Sequence, residues 1–299
     1  MSIFFNVILP VIAVFGAGFI LQRFKPIDIR AVSTLFIYVF LPALVFTKLY
    51  EATFDRSYTI LLIFAFVQLG LMISLSKLAK HIFKWSHSVE SASILTAGFM
   101  NAGNYGVPVI MFAIGEQALP YAIFFMVIQT MFMNSFGVYY ASRSSSGIRR
   151  AVMKVFTLPA TYAALIAIIL QNISWEIPET VYSTLSMVGG AAIPVMMVIL
   201  GMQLASITSI TFNWQVIIST VSIRMLIGPL IAFGFINLVD VDPIVAAVLI
   251  IVASMPSAAT TTMYAIQFDT EPELVSSITL VSTLFSIVSI TVLLNMIPY

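Results

Sequence analysis

The sequence predicts an all-α polytopic membrane protein: ten transmembrane helices arranged as two inverted five-helix repeats, with broken crossover helices at positions four and nine. Three observations predict it. Hydrophobic residues fill 61% of the 299 positions and charged residues only 8%, against roughly 25% charge in a soluble domain. Most of the chain therefore has lipid as its solvent. Apolar stretches of transmembrane length recur ten times between short charged or turn-rich breaks. Landmarks of the first half return in the second at an offset near 150 residues.

The spans run approximately 3–22, 31–50, 58–78, 88–115, 118–142, 151–171, 178–205, 213–237, 243–268 and 272–297. The first has no positive segment before it and no small-residue cleavage pattern after it, so it reads as a retained span rather than a signal peptide. The first, third and fifth breaks carry Arg23, Lys25 and Arg30, then Lys77, Lys80 and Lys84, then Arg143, Arg149, Arg150 and Lys154. The breaks on the other side hold only Lys48 and Arg56 among basic residues. Cytoplasmic loops collect lysine and arginine. The odd-numbered breaks are thus expected in the cytoplasm, and both termini on the outer side of the cell membrane. Trp85, Trp175 and Trp214 fall at span ends, where indole anchors at headgroup level. The methionines read as packing filler.

The repeat is carried by ordered pairs. Leu9-Pro10 and Gln22 return as Leu158-Pro159 and Gln171, and Pro42 returns as Pro194. Met111-x-Ala113-Ile114 followed by Pro120 returns as Met263-x-Ala265-Ile266 followed by Pro272. The halves are residues 1–142 and 151–299, joined by a short cytoplasmic linker at 143–150. Five spans per copy is an odd number, so the second copy enters the bilayer from the opposite face. Such inverted repeats are an architecture of secondary transporters.

Several function classes are excluded. A net charge of +1 supplies no field for nucleic acid. With no cysteine there is neither disulfide nor thiolate metal site. His81 and His87 share one polar loop but lack a ligand spacing, so no metal or other cofactor is expected. Glu90, Glu116, Asp240, Asp242, Asp269, Glu271 and Glu273 all lie near span ends or in loops, which argues against a two-aspartate proton antiporter. Hydrolase and prenyltransferase motifs are missing, so the chain is not expected to be an enzyme.

Two spans break the rules for lipid. Span 4 contains Gly98-Phe99-Met100-Asn101-Ala102-Gly103-Asn104-Tyr105-Gly106-Val107-Pro108, with two amides, three glycines and a proline at mid-bilayer depth. Glycine lowers the cost of unwinding, and proline lacks a donor and clashes with the preceding turn. Backbone freed there is tolerable only inside protein or against a wet cavity, so a discontinuous helix restarting near Gly106 is expected. Span 9, its mate, reads Ala253-Ser254-Met255-Pro256-Ser257-Ala258-Ala259-Thr260-Thr261-Thr262. Half-helix N-termini meeting near the midplane would offer free N–H groups and positive dipole ends to an anion. Asn101, Asn104, Gly106 and Pro108, with Pro256, Ser257 and Thr260, are the candidate substrate-binding residues. Arg224, about ten residues into span 8, is a further substrate-binding candidate, attracting or contacting the anion, because intramembrane cations are costly and functional by default; a structural bond to helix-end carbonyls is the other reading. Leu41, Pro42, Gln129 and Pro194 are candidate cavity-lining positions. Asn134 accompanies Gln129 as either cavity lining or an interhelical bond.

These residues carry a resemblance. The stretch Asn101-Ala-Gly-Asn-Tyr-Gly106-Val-Pro108 is similar to the span-4 N-x-x-x-x-G-x-P of the auxin efflux carrier family in its short, bacterial form. That family belongs to a larger group with bile-acid and sodium–proton transporters. Met255-Pro256-Ser257 resembles its span-9 crossover, Arg224-Met-Leu-Ile-Gly-Pro229 its Arg-Leu-x-x-x-Pro run, and Gly201-x-x-Leu204 the close of span 7. The resemblance covers the whole chain. It implies a scaffold of spans 1, 2, 6 and 7, a transport bundle of spans 3–5 and 8–10, elevator-type alternating access and a homodimer. It also implies a small carboxylate substrate, auxin-like or of the malate and malonate kind. The break at 142–150 lacks the long hydrophilic loop of plant members, and Thr260 stands where some members have an amide. The expected function is secondary transport of a small organic anion. A sodium- or proton-coupled carrier of another small solute, or a membrane anion sensor that transports nothing, is the alternative.

Overall fold

The computed structural model describes residues 3–142, 158–207 and 210–297. Expectations for the linker 143–150, its basic residues, Lys154 and the first residues of span 6 lie outside the described residues. Among the described residues there is no β-strand, and seven helices are long and apolar enough to cross a membrane. They are α1 (Phe4–Phe24), α2 (Ile29–Tyr50), α3 (Arg56–Phe83), α6 (Glu116–Ser142), α8 (Glu179–Ala205), α9 (Trp214–Leu238) and α12 (Pro272–Leu294). Shorter segments lie between them: α4 (His87–Gly98), α5 (Val107–Ala113), α7 (Pro159–Asn172), α10 (Pro243–Ala253) and α11 (Thr260–Phe268). Helix termini follow local chemistry. Asp28, Asp55, Ser86 and Asp242 each accept a first-turn N–H from the helix they precede.

Proline shapes four of these helices in the same way. A wide turn with an i→i−5 hydrogen bond ends just before Pro10, Pro42, Pro108 and Pro229: Leu9 N–H to Phe4, Leu41 to Phe36, Val107 to Ala102 and Gly228 to Ile223. A proline ring has no N–H and crowds the preceding turn. One extra residue in that turn makes room, and the helix continues instead of kinking open in lipid. A fifth wide turn, Met133–Gly137, precedes no proline.

The closest packing joins four helices: α1 lies along the second half of α8, while α2 packs against α7 and the first half of α8. Small residues set the approach distance. A Cβ at Gly18 would sit 2.2 Å from the Val198 carbonyl oxygen, and one at Gly201 would sit 2.0 Å from that of Phe15. At the other crossing, Gly189 meets the backbone of Leu44, 2.9 Å from an added Cβ, whereas its neighbour Gly190 faces open space. Gly189→Ala is therefore expected to cost about 1–2 kcal/mol by overpacking, and Gly190→Ala nothing. Thermal unfolding of the two purified variants checks this pair. The remaining helices, α3–α6 and α9–α12, pack on one another and against these four. Two of them are the most internal parts of the molecule: residues 90–98 of α4 and 247–253 of α10 are buried throughout. Outward faces of α1 and α7 present Phe5, Phe19, Ile20, Leu165, Ile166 and Ile169, as lipid contact requires.

Candidate functional site

The two interruptions lie against each other. Met100 and Ser257 form an isolated antiparallel bridge. The Asn101 N–H donates to the Pro256 carbonyl at 2.8 Å, and the Ala258 N–H donates to that of Phe99 at 2.9 Å. Residues 99–101 and 256–258, freed from helix by the glycines and Pro256, thus satisfy each other's backbone groups. A buried N–H or C=O must find some partner.

The last carbonyls of α4, which helix geometry leaves without internal donors, are also answered. Thr96 accepts from the Ser257 hydroxyl at 2.7 Å, Ala97 from Arg224 Nη1 at 3.0 Å, and Gly98 from Gln129 Nε2 at 3.3 Å. Ala253, at the end of α10, accepts from the other terminal nitrogen of Arg224. The Arg224 side chain is fully buried. Sequence reasoning left its role open between contact with the anion and a bond to helix ends. The structure has it bonded to helix ends.

Next to the bridge lies a cavity of about 270 Å³. Of the residues expected at the site, Asn101, Asn104, Thr260, Gln129 and Leu41 line it; Gly106, Pro108, Pro256, Ser257, Arg224, Pro42 and Pro194 do not. Their positions account for this. Gly106 packs against Met255, Ser257 is spent on Thr96, Pro108 is buried in the restarted helix, and Pro194 faces outward. The restart comes one turn earlier than expected, at the wide turn Ala102–Gly106, so the first-turn residues Ala102, Gly103 and Asn104 border the cavity. The N–H groups of such a turn have no acceptor inside their own helix.

The lining has a sharply divided chemistry. Phe36, Met126, Met133, Ile199 and Met263 make an apolar wall, and the lining contains no Asp, Glu, Lys or Arg. Set in it are polar atoms with no hydrogen-bond partner: Asn101 Nδ2, Thr161 Oγ1, Ser33 Oγ and Gln203 Oε1. Asn101 is only 5% exposed. A buried polar atom left unpaired costs about 1–3 kcal/mol, and the residues that carry these four all line the one cavity. Asn134, by contrast, is fully engaged: its amide donates to Thr130 and its oxygen accepts from the Tyr264 hydroxyl at 2.9 Å.

Ser33, Thr161 and Gln203 were not singled out from sequence. Each is a polar residue in a largely apolar helix, on α2, α7 and α8 in turn. Gln203 carried the same signal as Gln129, an amide within a span. Gln203 and Met263 also border a second cavity of about 570 Å³, lined by Gln22, Asp28, Arg30, Thr262, Glu273 and Ser276 among others. The two spaces adjoin, and together they run from the bridge toward the end of the molecule that carries residues 22–30.

A family model described as membrane transport protein matches residues 2–294. An uncharacterized transporter of Methanothermobacter thermautotrophicus is 28% identical over 298 residues, 95% of each chain. An uncharacterized transporter of Methanocaldococcus jannaschii is 26% identical over 279 residues, 87% of each chain.

Proposed function

The chain belongs to the membrane transport protein family, that of the auxin efflux carriers, and from that premise we propose that it is a secondary carrier of a small organic monocarboxylate. It is a multi-pass membrane protein of a transporter family, which is not an enzyme class. The carboxylate is received by Asn101 Nδ2 and the first turn of the restarted helix at Gly103 and Asn104. The body of the substrate lies on the wall of Phe36, Met126, Met133 and Met263.

The single observation that carries this reading is the unpartnered, buried Asn101 amide at a helix N-terminus in a cavity free of charged side chains. Helix N-termini attract anions through free N–H groups and a positive dipole end. The apolar wall favours one carboxylate on an apolar body over malate or malonate. A second carboxylate would have to be desolvated against methionine and phenylalanine, where an unpaired charge is costly.

The cavity also supports the mode of movement. One side is built from Ser33, Leu41, Thr161 and Gln203 on α2, α7 and α8, the other from residues 100–104, α6 and the start of α11. We read the first group, α1, α2, α7 and α8, as the scaffold and the second as a bundle that carries the substrate past it, elevator fashion. Ten spans follow if α4 with α5, and α10 with α11, each count as one broken crossover helix of an inverted repeat. The second cavity is the route to the cytoplasm, with both termini outside. At the opposite end Lys48 of α2 lies 3.5 Å from Glu116 at the start of α6, a cross-group ion pair. A homodimer through the scaffold accompanies this reading.

Counterflow in proteoliposomes tests it. Vesicles loaded with unlabelled indole-3-acetate or benzoate are expected to accumulate the labelled acid transiently, and those loaded with malonate much less. If no monocarboxylate shows counterflow and none raises the melting temperature of the purified protein, the reading is wrong.

A further inference from the structure

We propose that the Arg224 guanidinium is a built-in counter-ion seated where two half-helices end, and that it takes the place of a coupling cation, so that the protein works without sodium. The transport arm of this inference rests on the carrier reading above; the seat itself does not.

Helices α4 and α10 end beside each other, and carbonyls from both ends meet at one guanidinium. Arg224, at the wide turn Ile223–Ile227 of α9, bonds Ala97 at the end of α4 and Ala253 at the end of α10. Each helix C-terminus carries the equivalent of roughly half a negative charge. Two of them facing each other ask for about one positive charge, and one guanidinium supplies it. No ion pair joins Arg224 to a carboxylate among the described residues. The helix ends are therefore its counter-charge. In coupled transporters, half-helix C-termini and unwound carbonyls are what bind the driving cation. Here the equivalent seat is filled by a cation tethered to the chain.

The surroundings are cut to fit the arginine. Gly228, one turn after Arg224, leaves the space the guanidinium occupies: a Cβ there would stand 2.7 Å from Arg224 Nη2 and 2.7 Å from the Ala253 oxygen. Arginine holds its proton in proteins, and a covalent tether cannot be released to either side. A seat filled in this way exchanges nothing during a transport cycle. It also fixes the geometry of the bridge, because Ala97 lies two residues before Phe99, and Ala253 three before Pro256.

The test starts with wild-type protein in detergent. Its melting temperature is expected to be the same in sodium, potassium and choline chloride at equal ionic strength. Arg224→Ala is expected to melt lower, and guanidinium chloride at low millimolar concentration to raise that variant by roughly 2–4 °C while leaving wild type unmoved. In vesicles, wild-type counterflow is expected to persist when choline replaces sodium. Sodium-specific stabilisation of wild type, counterflow lost without sodium, or a variant indifferent to guanidinium would each overturn the proposal. The wild-type arm stands even if Arg224→Ala does not fold. If no carboxylate is carried at all, the carrier reading falls while the melting data still decide the role of Arg224.

Discussion

Gly201→Val is expected to lower the melting temperature of the purified protein by roughly 6–12 °C, on the basis of about 3 kcal/mol of overpacking. An added Cβ would stand 2.0 Å from the Phe15 carbonyl oxygen and 2.8 Å from the Phe19 nitrogen. Both are backbone atoms, so no side chain can swing aside and α1 itself must retreat from α8. The reciprocal contact is equally tight, since a Cβ added at Gly18 would stand 2.2 Å from the Val198 oxygen. Moving the helices apart at Gly201 therefore opens a void at Gly18. Close helix approach through small residues is a principal source of attraction within lipid, where no hydrophobic force joins helices. Gly16→Ala is the control: it lies on α1, two residues before Gly18, with nothing within 4 Å of an added Cβ, and should melt at or slightly above wild type. Differential scanning fluorimetry of the two variants decides the matter, and equal melting temperatures would refute the crossing as described.

Asn101→Asp is expected to abolish carboxylate transport while leaving the fold in place. The substitution keeps shape and backbone, so the bond from the Asn101 N–H to Pro256 survives. What changes is the group facing the cavity, from an amide donor to a carboxylate. A like charge about 4 Å from the substrate costs roughly 4 kcal/mol at an effective dielectric constant near 20, or about a thousandfold in binding. Asn101→Ala removes the donor without adding repulsion. Its loss should be about 10–100-fold, the value of one hydrogen bond to a charged group. Counterflow rates for the series Asn, Ala, Asp should fall in that order, with melting temperature as the control for folding. Wild-type rates in Asn101→Asp would mean the anion binds elsewhere.

Much of the fold was legible because lipid imposes strong rules. Long apolar runs match the long helices to within a few residues, and the interruptions, at 99–101 and 254–259, fall in or beside the stretches where glycine, proline and polar side chains break the apolar pattern. The prolines were legible as disturbances but not in their outcome. Pro10, Pro42, Pro108 and Pro229 are absorbed by one widened turn each, which composition alone does not distinguish from a kink. Of the stretches singled out from sequence, only some residues face the cavity. Asn101 and Asn104 border the cavity while Gly106 and Pro108, in the same stretch, serve packing. Facing depends on where the helix restarts, and that was misjudged by one turn. Ser33, Thr161 and Gln203 were out of reach for another reason. They join the site from helices distant in sequence, and only the folded arrangement gathers their unpaired atoms around one space.

The pairing of Phe99 and Asn101 with Ala258 and Pro256 has a consequence for how the protein is made. When the first interrupted segment leaves the ribosome and reaches the insertion machinery, the residues that complete it have not been synthesised. At about 5–20 residues per second the missing partners arrive roughly 8–30 s later. Throughout that interval the Asn101 N–H, the Phe99 carbonyl and the Ala97 carbonyl awaiting Arg224 have no protein partner of their own. Water in the insertion channel, or a delay in committing α4 to the bilayer, has to serve until then. The nascent first half is thus an obligate intermediate rather than a finished module, and the last third of translation is what seals it.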